Sequence, residues 1–110
     1  MKHKFTDPSH DSIAGMILRV LADGPVTWGD LVLAVARLDP ERFDGASYTR
    51  MVRAMKSAMI YLEDMCGYII SRQAHVYSLD GRLTWAGDIL TRRQVEDYLE
   101  IRRVNDDGNA

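Results

Sequence analysis

Cysteine is nearly absent: Cys66 stands alone among 110 residues. A single thiol cannot close an internal disulfide or build a thiolate metal cage, so packing must hold the fold. Long apolar runs are missing as well. No stretch approaches the roughly 20 apolar residues that a bilayer-spanning helix requires. The start Met1-Lys2-His3-Lys4-Phe5-Thr6-Asp7-Pro8 has neither the apolar segment nor the cleavage site of a secretory leader. The expectation is a cytoplasmic protein without a membrane partner. His3, His10 and His75 show no metal-ligand spacing, and the chain has no nucleophile elbow, no glycine-rich phosphate loop and no His-Glu-x-x-His sequence. Neither a metal, a cofactor nor catalysis is therefore expected. Internal repeats of 20 to 50 residues are lacking too. What remains is a balanced composition, 46% apolar and 27% charged with Gly 8 and Pro 3, which suits one packed domain of 12.5 kDa.

Basic residues number 14 and acidic residues 16, a formal charge of -2, so the chain as a whole does not announce a polyanion partner. The placement of the charges says more. Ile13, Met16, Ile17, Val20 and Leu21 recur at helical spacing, with Asp11 or Ser12 to cap and Gly24-Pro25 to stop, which predicts a helix over about 12–23. A short extended piece at Pro25-Val26 delivers Thr27, the cap of a second helix with Asp30 in a relative of the capping box. Leu31, Val32, Val35 and Leu38 form its apolar stripe, and Asp39-Pro40 closes it. Residues 39–46 read as an exposed connection anchored by Phe43.

Ser47 caps the longest predicted helix, about 48–65. At about 100° per residue, Tyr48, Met51, Val52, Met55, Ala58, Met59 and Leu62 share one side. Thr49, Arg50, Arg53, Lys56 and Ser57 share the other. Between Gly45 and Leu62 stand three basic residues and no acid. Core filling is the expected use of Met51, Met55 and Met59, ahead of an adaptable binding surface. Gly67 ends the helix. Tyr68-Ile69-Ile70-Ser71-Arg72 and His75-Val76-Tyr77-Ser78-Leu79 then read as a hairpin with Gln73-Ala74 at its tip, Ile70 opposite Tyr77 and Tyr68 opposite Leu79. After Asp80-Gly81, Thr84 is read as capping a helical piece through Leu90. Thr91 and Gln94 form a capping box for a last helix over about 92–104, with Val95, Tyr98, Leu99 and Arg102 on one side. Residues 1–11 and 105–110 are expected to be mobile ends flanking a domain over 12–104.

Three stretches carry a resemblance: Asp23-Gly24-Pro25-Val26-Thr27, the helix exit Leu62-Glu63-Asp64-Met65-Cys66-Gly67-Tyr68-Ile69, and Val76-Tyr77-Ser78-Leu79 with Leu83-Thr84-Trp85-Ala86-Gly87. In that order the chain resembles winged helix-turn-helix domains, loosely those of MarR-like and PadR-like regulators. The resemblance implies an α+β, mainly helical fold with a C-terminal helix. It also implies double-stranded DNA as the partner, transcriptional regulation as the use, and 48–65 as the recognition helix. Ser47, Thr49, Arg50 and Arg53 would then project toward base edges, arginine being able to grip guanine O6 and N7 together. Lys56 suits a phosphate, Ser57 lies on the same face, and Arg72 and His75 at the hairpin would touch the DNA backbone. Each has a plainer alternative in a solvated helix face or a polar hairpin tip. Arg92 and Arg93 can bind phosphate or pair with Glu96 and Asp97. Val95, Tyr98, Leu99 and Ile101 can form the seam of a homodimer or pack on their own domain. A rival function uses the same fold as a protein-interaction module, an adaptor or inhibitor that never engages DNA. Its motives are the net acidity, the short hairpin tip, the long 39–46 connection, and Ile60 and Tyr61 near the cationic face.

Overall fold

Serine and threonine hydroxyls set where the helices begin. Ser12 accepts from the Gly15 N–H at 3.0 Å and opens α1 (Ile13–Ala22). Thr27 accepts from Asp30 at 3.3 Å and opens α2 (Trp28–Leu38), and Ser47 accepts from Arg50 at 3.2 Å and opens α3 (Tyr48–Asp64). Each hydroxyl satisfies a backbone donor that the first turn leaves free. The computed structural model describes residues 6–84 and 87–108, with side chains described as far as residue 100. Trp85, Ala86 and the side chains of Ile101 and Arg102, used in the sequence reading, lie outside the described residues.

Between the helices run β1 (Val26–Thr27), β2 (Tyr68–Gln73), β3 (Val76–Leu83) and β4 (Ile89–Thr91), before α4 (Arg92–Gly108). All pairings are antiparallel, and β3 is central. It pairs with β2 on one edge and, on the other, with β1 near the hairpin tip and β4 at the far end. Among the described residues, four helices and this four-stranded sheet make a compact α+β domain. Ile17, Leu18 and Leu21 of α1, Leu31, Val32 and Val35 of α2, Met55, Met59 and Leu62 of α3, Ile70 and Leu79 of the sheet, and Val95 of α4 share one buried cluster. Periodic apolar stripes thus meet in one core, the dominant favourable contribution to folding.

The structure departs from the sequence reading in five places. The hairpin tip is Ala74-His75, one residue later than expected, with both residues at positive φ (50° and 66°). Ile70 therefore faces Leu79, and Arg72 faces Tyr77. Asp80-Gly81 is not a turn: β3 runs through it, and Asp80 is the extra residue where the pairing shifts between Ile69 and Ile70. Among the described residues after Thr84, 87–90 do not form the expected helix. Thr84 closes a turn by accepting from Asp88 at 3.1 Å, and Ile89 and Leu90 become strand because the free edge of β3 offers them partners. Gly81 permits that pairing, since a Cβ there would stand 2.4 Å from the Leu90 carbonyl oxygen. Tyr48, placed on the apolar side, is 58% exposed, because the first turn of α3 extends past the core that buries Met55 and Met59.

The N-terminal segment, expected as a free end, makes specific contacts over residues 6–10: Thr6 donates to the Met65 carbonyl at 3.0 Å, Asp7 pairs with Arg82 at 2.9 Å, and Pro8 is buried. The Thr91–Gln94 capping box forms in both directions, at 2.9 and 3.3 Å. The fifth departure is at the other end: the last helix continues to Gly108, beyond the expected 104.

Candidate nucleic-acid interface

Helix α3 packs against α1, α2 and β2 with Met55, Met59 and Leu62 buried and Met51, Val52 and Ala58 half-buried. Its opposite side carries Thr49, Arg50, Arg53, Lys56 and Ser57, all exposed. Among the described residues, no carboxylate pairs with Arg50, Arg53 or Lys56. The three cations follow one another at spacings of three residues, so they line a single strip about one turn apart. Ser47, also expected to point at a ligand, spends its hydroxyl oxygen on the Arg50 N–H. Ile60 was not counted among the site residues, yet it is 60% exposed one turn beyond Lys56 and Ser57. The sequence reading already sets it near the cationic face, as a motive for the rival function, and at about 100° per residue it falls between Arg53 and Lys56. The strip ends in acid, at Glu63 and Asp64.

The hairpin contributes less charge than expected. Arg72 donates through Nη1 and Nη2 to the two carboxylate oxygens of Glu63, and its central carbon lies 5.2 Å from the Tyr77 ring centroid. Hydrogen bonding to Glu63, opposed by partial burial, holds this guanidinium even more firmly protonated than usual. Arg72 is therefore not the unpartnered phosphate-holding cation of the sequence reading. Tyr77 in turn packs at 5.3 Å against Trp28 of α2. His75 is exposed at the tip, where its carbonyl accepts from the Trp28 N–H at 3.0 Å and pins the hairpin to the start of α2. The strip on α3 and the hairpin tip are thus linked by Glu63–Arg72, a neutral pair.

A second cationic centre faces inward. Arg82, whose side chain is 12% exposed, donates Nε to the Cys66 carbonyl at 2.8 Å and pairs with Asp7. Its guanidinium lies 4.6 Å from the Tyr68 ring centroid and 5.9 Å from that of Tyr98, whose hydroxyl donates to Asp7 at 3.0 Å. Burial works against its charge, but Tyr68, Asp7 and Tyr98 more than offset this, and the net shift is upward. This arginine ties the N-terminal segment to the sheet and takes no part in the exposed strip. Arg92 pairs with Glu96 at 2.7 Å, the ordinary fate expected of it. Val95 is buried and Leu99 packs against the core, so both are committed to their own domain.

A cleft of about 370 Å³ lies between α1 and α4, walled by Leu18, Leu38, Leu99, Asp23 and Asp97 among others, and no α3 residue lines it. Among the described residues, no group of three or more His, Cys, Asp or Glu side chains could hold a metal ion. No helix there is long and apolar enough to cross a membrane. Compared with family models, with curated proteins and with solved structures, the chain finds no significant match in any of the three.

Proposed function

We propose that the chain is a winged helix-turn-helix domain that binds double-stranded DNA, with α3 entering the major groove, and that it serves as a transcriptional regulator. One observation carries the reading: Arg50, Arg53 and Lys56 form an exposed strip without carboxylate partners among the described residues, on a chain whose net charge is -2. A duplex presents a dense row of phosphates beside base edges that a helix can reach, and bidentate arginine contacts suit guanine. The element order supports the fold assignment. A short β1 between the first two helices pairs with the hairpin that follows the third, which is the arrangement expected of a winged helix.

In this reading Thr49, Arg50 and Arg53 approach base edges, Lys56 and Ser57 meet the backbone, and His75, exposed at the hairpin tip, touches the DNA backbone. The test is fluorescence anisotropy on duplex DNA across a salt series. Each phosphate that the strip neutralises contributes a slope of roughly -0.9 in log affinity against log salt, the Lys56 contact first among them. Replacing Arg50, Arg53 and Lys56 together by alanine is expected to flatten that slope and abolish tight binding. An unchanged slope sinks the assignment.

Ile60 favours a second reading. An isoleucine 60% exposed on the cationic strip suits a protein surface better than a phosphate backbone. A protein-interaction module with this fold would fail to bind duplex DNA even at low salt. It would also hold its protein partner at high salt through contacts that Ile60→Ala weakens.

A further inference from the structure

Arg72 sits one residue pair inside the hairpin tip, on the sheet face that also carries Ile70 and Leu79. Its guanidinium is gripped from two sides, by the Glu63 carboxylate through both terminal nitrogens and by the Tyr77 ring at 5.2 Å. Glu63 belongs to α3 itself, one residue before its end. The helix that carries the exposed cationic strip therefore also carries the acid that neutralises the arginine of the hairpin.

Helix energetics do not account for that acid. The C-terminal end of a helix carries partial negative charge and favours cations, yet the last turn of α3 has no basic residue and two carboxylates, Glu63 and Asp64. Nor does the core account for it, because the paired side chains are 43% and 32% exposed and an exposed ion pair adds little to stability. What the pair does change is the charge that an approaching polyanion meets. A guanidinium bound to a carboxylate has no net charge to exchange for condensed counterions, so it adds nothing to the salt-dependent part of the affinity.

The geometry points to Glu63 as a positioning residue that withholds Arg72 from DNA and limits phosphate neutralisation to the α3 strip. This inference rests on the DNA-binding reading of α3. A carboxylate and a phosphate compete for the same planar donors, and removing the carboxylate's charge leaves Arg72 beside Tyr77, at the sheet edge, as a cation available to a phosphate. Glu63 thereby sets the reach of the interface: with it, binding is concentrated on one helix; without it, the hairpin joins.

The experiment is a set of anisotropy titrations of the whole chain on one duplex, across a salt series, with the parent protein, Arg72→Ala, Glu63→Gln and the double variant. Arg72→Ala is expected to gain no affinity and to bind somewhat more weakly than the parent, because it leaves the Glu63 carboxylate uncompensated beside the strip. Glu63→Gln is expected to bind several-fold more tightly at low salt, with a slope steeper by about 0.9, the signature of one added phosphate contact. The double variant is expected to return to the parent slope, which shows that the gain passes through Arg72 and is not a general effect of lost negative charge. Three results overturn the inference while leaving DNA binding by α3 intact: four identical slopes, a double variant whose slope is flatter than the parent's, or a steepening by Glu63→Gln that persists without Arg72. If none of the four proteins binds duplex DNA, the reading of α3 falls and this inference falls with it.

Discussion

Tyr68 is the residue whose chemistry is least at ease. It is buried, its ring supports the Arg82 guanidinium, and its hydroxyl has no hydrogen-bond partner among the described residues. Burial is the main cause that pushes its pKa from 10.0 up to about 12, against the opposing pull of Arg82. The sign of the consequence follows from proton binding. Between about pH 10 and 12 the folded protein keeps a proton that the unfolded chain has lost, so stability is complete below about pH 10 and falls as pH rises through that window. Tyr68→Phe keeps the ring, removes the unpaired hydroxyl and removes the titration. It is expected to raise stability by about 1 kcal/mol at neutral pH and to flatten the alkaline decline, as urea unfolding at several pH values would show. The hairpin tip teaches the complementary lesson about legibility. Tight two-residue turns favour Asn or Gly where φ is positive, and Ala74-His75 advertises neither, so the sequence points to a tip one residue too early. Because side chains in a strand alternate with a period of two, Tyr77 and Leu79 remain on one face in either register, and the shift leaves the inward-facing set unchanged.

Elements with strong local signals were legible, and those made by distant partners were not. The caps at Ser12, Thr27, Ser47 and Thr91 are each a hydroxyl meeting a backbone N–H within a few residues; the last three stand where the sequence places them, and Ser12 is the one chosen of the two residues, Asp11 or Ser12, that the sequence offers. Strand β4 needed the free edge of β3, and its closest approach depends on Gly81, which sequence alone reads as a turn. The N-terminal segment is the extreme case. Nothing in Thr6-Asp7-Pro8-Ser9-His10 announces that Asp7 will meet Arg82 and Tyr98, the latter 91 positions away. Gly15 assists from the other side, since a Cβ there would stand 2.1 Å from the Ser9 carbonyl oxygen. Asp7→Asn removes the charge that compensates a guanidinium only 12% exposed, while Asp7 itself lies partly in solvent. The expected loss is about 1–2 kcal/mol, at the lower end for hydrogen bonds to charged groups. Amide exchange should report it locally, with Thr6 losing the protection conferred by its bond to Met65. A global loss without any local change would contradict the view of residues 6–10 as a strap.

For the molecule as a whole, the question is why a slightly acidic chain keeps three cations along one side of one helix. The strip itself was legible, because a period of about 3.6 residues sorts Arg50, Arg53 and Lys56 from Met51, Met55 and Met59 without any knowledge of the fold. The fate of Arg72 was not, because its partner Glu63 lies on another element and no local pattern joins them. Like charges three residues apart repel on a helix by roughly 0.2–0.5 kcal/mol a pair, and Arg50–Arg53 and Arg53–Lys56 are two such pairs. Alanine also favours helix slightly more than lysine or arginine. With no carboxylate partner among the described residues, these side chains have no compensating bond to lose. The triple alanine variant used to test DNA binding is therefore expected to unfold at the same or a higher temperature, gaining up to about 1 kcal/mol, even as it loses affinity for duplex DNA. Differential scanning calorimetry at low ionic strength, where the repulsion is least screened, is the measurement that separates the two effects. A surface that weakens the fold while serving a partner is the expected mark of a binding site. If the variant instead melts well below the parent, the cations serve the structure, and the case for a nucleic-acid interface on α3 loses its ground.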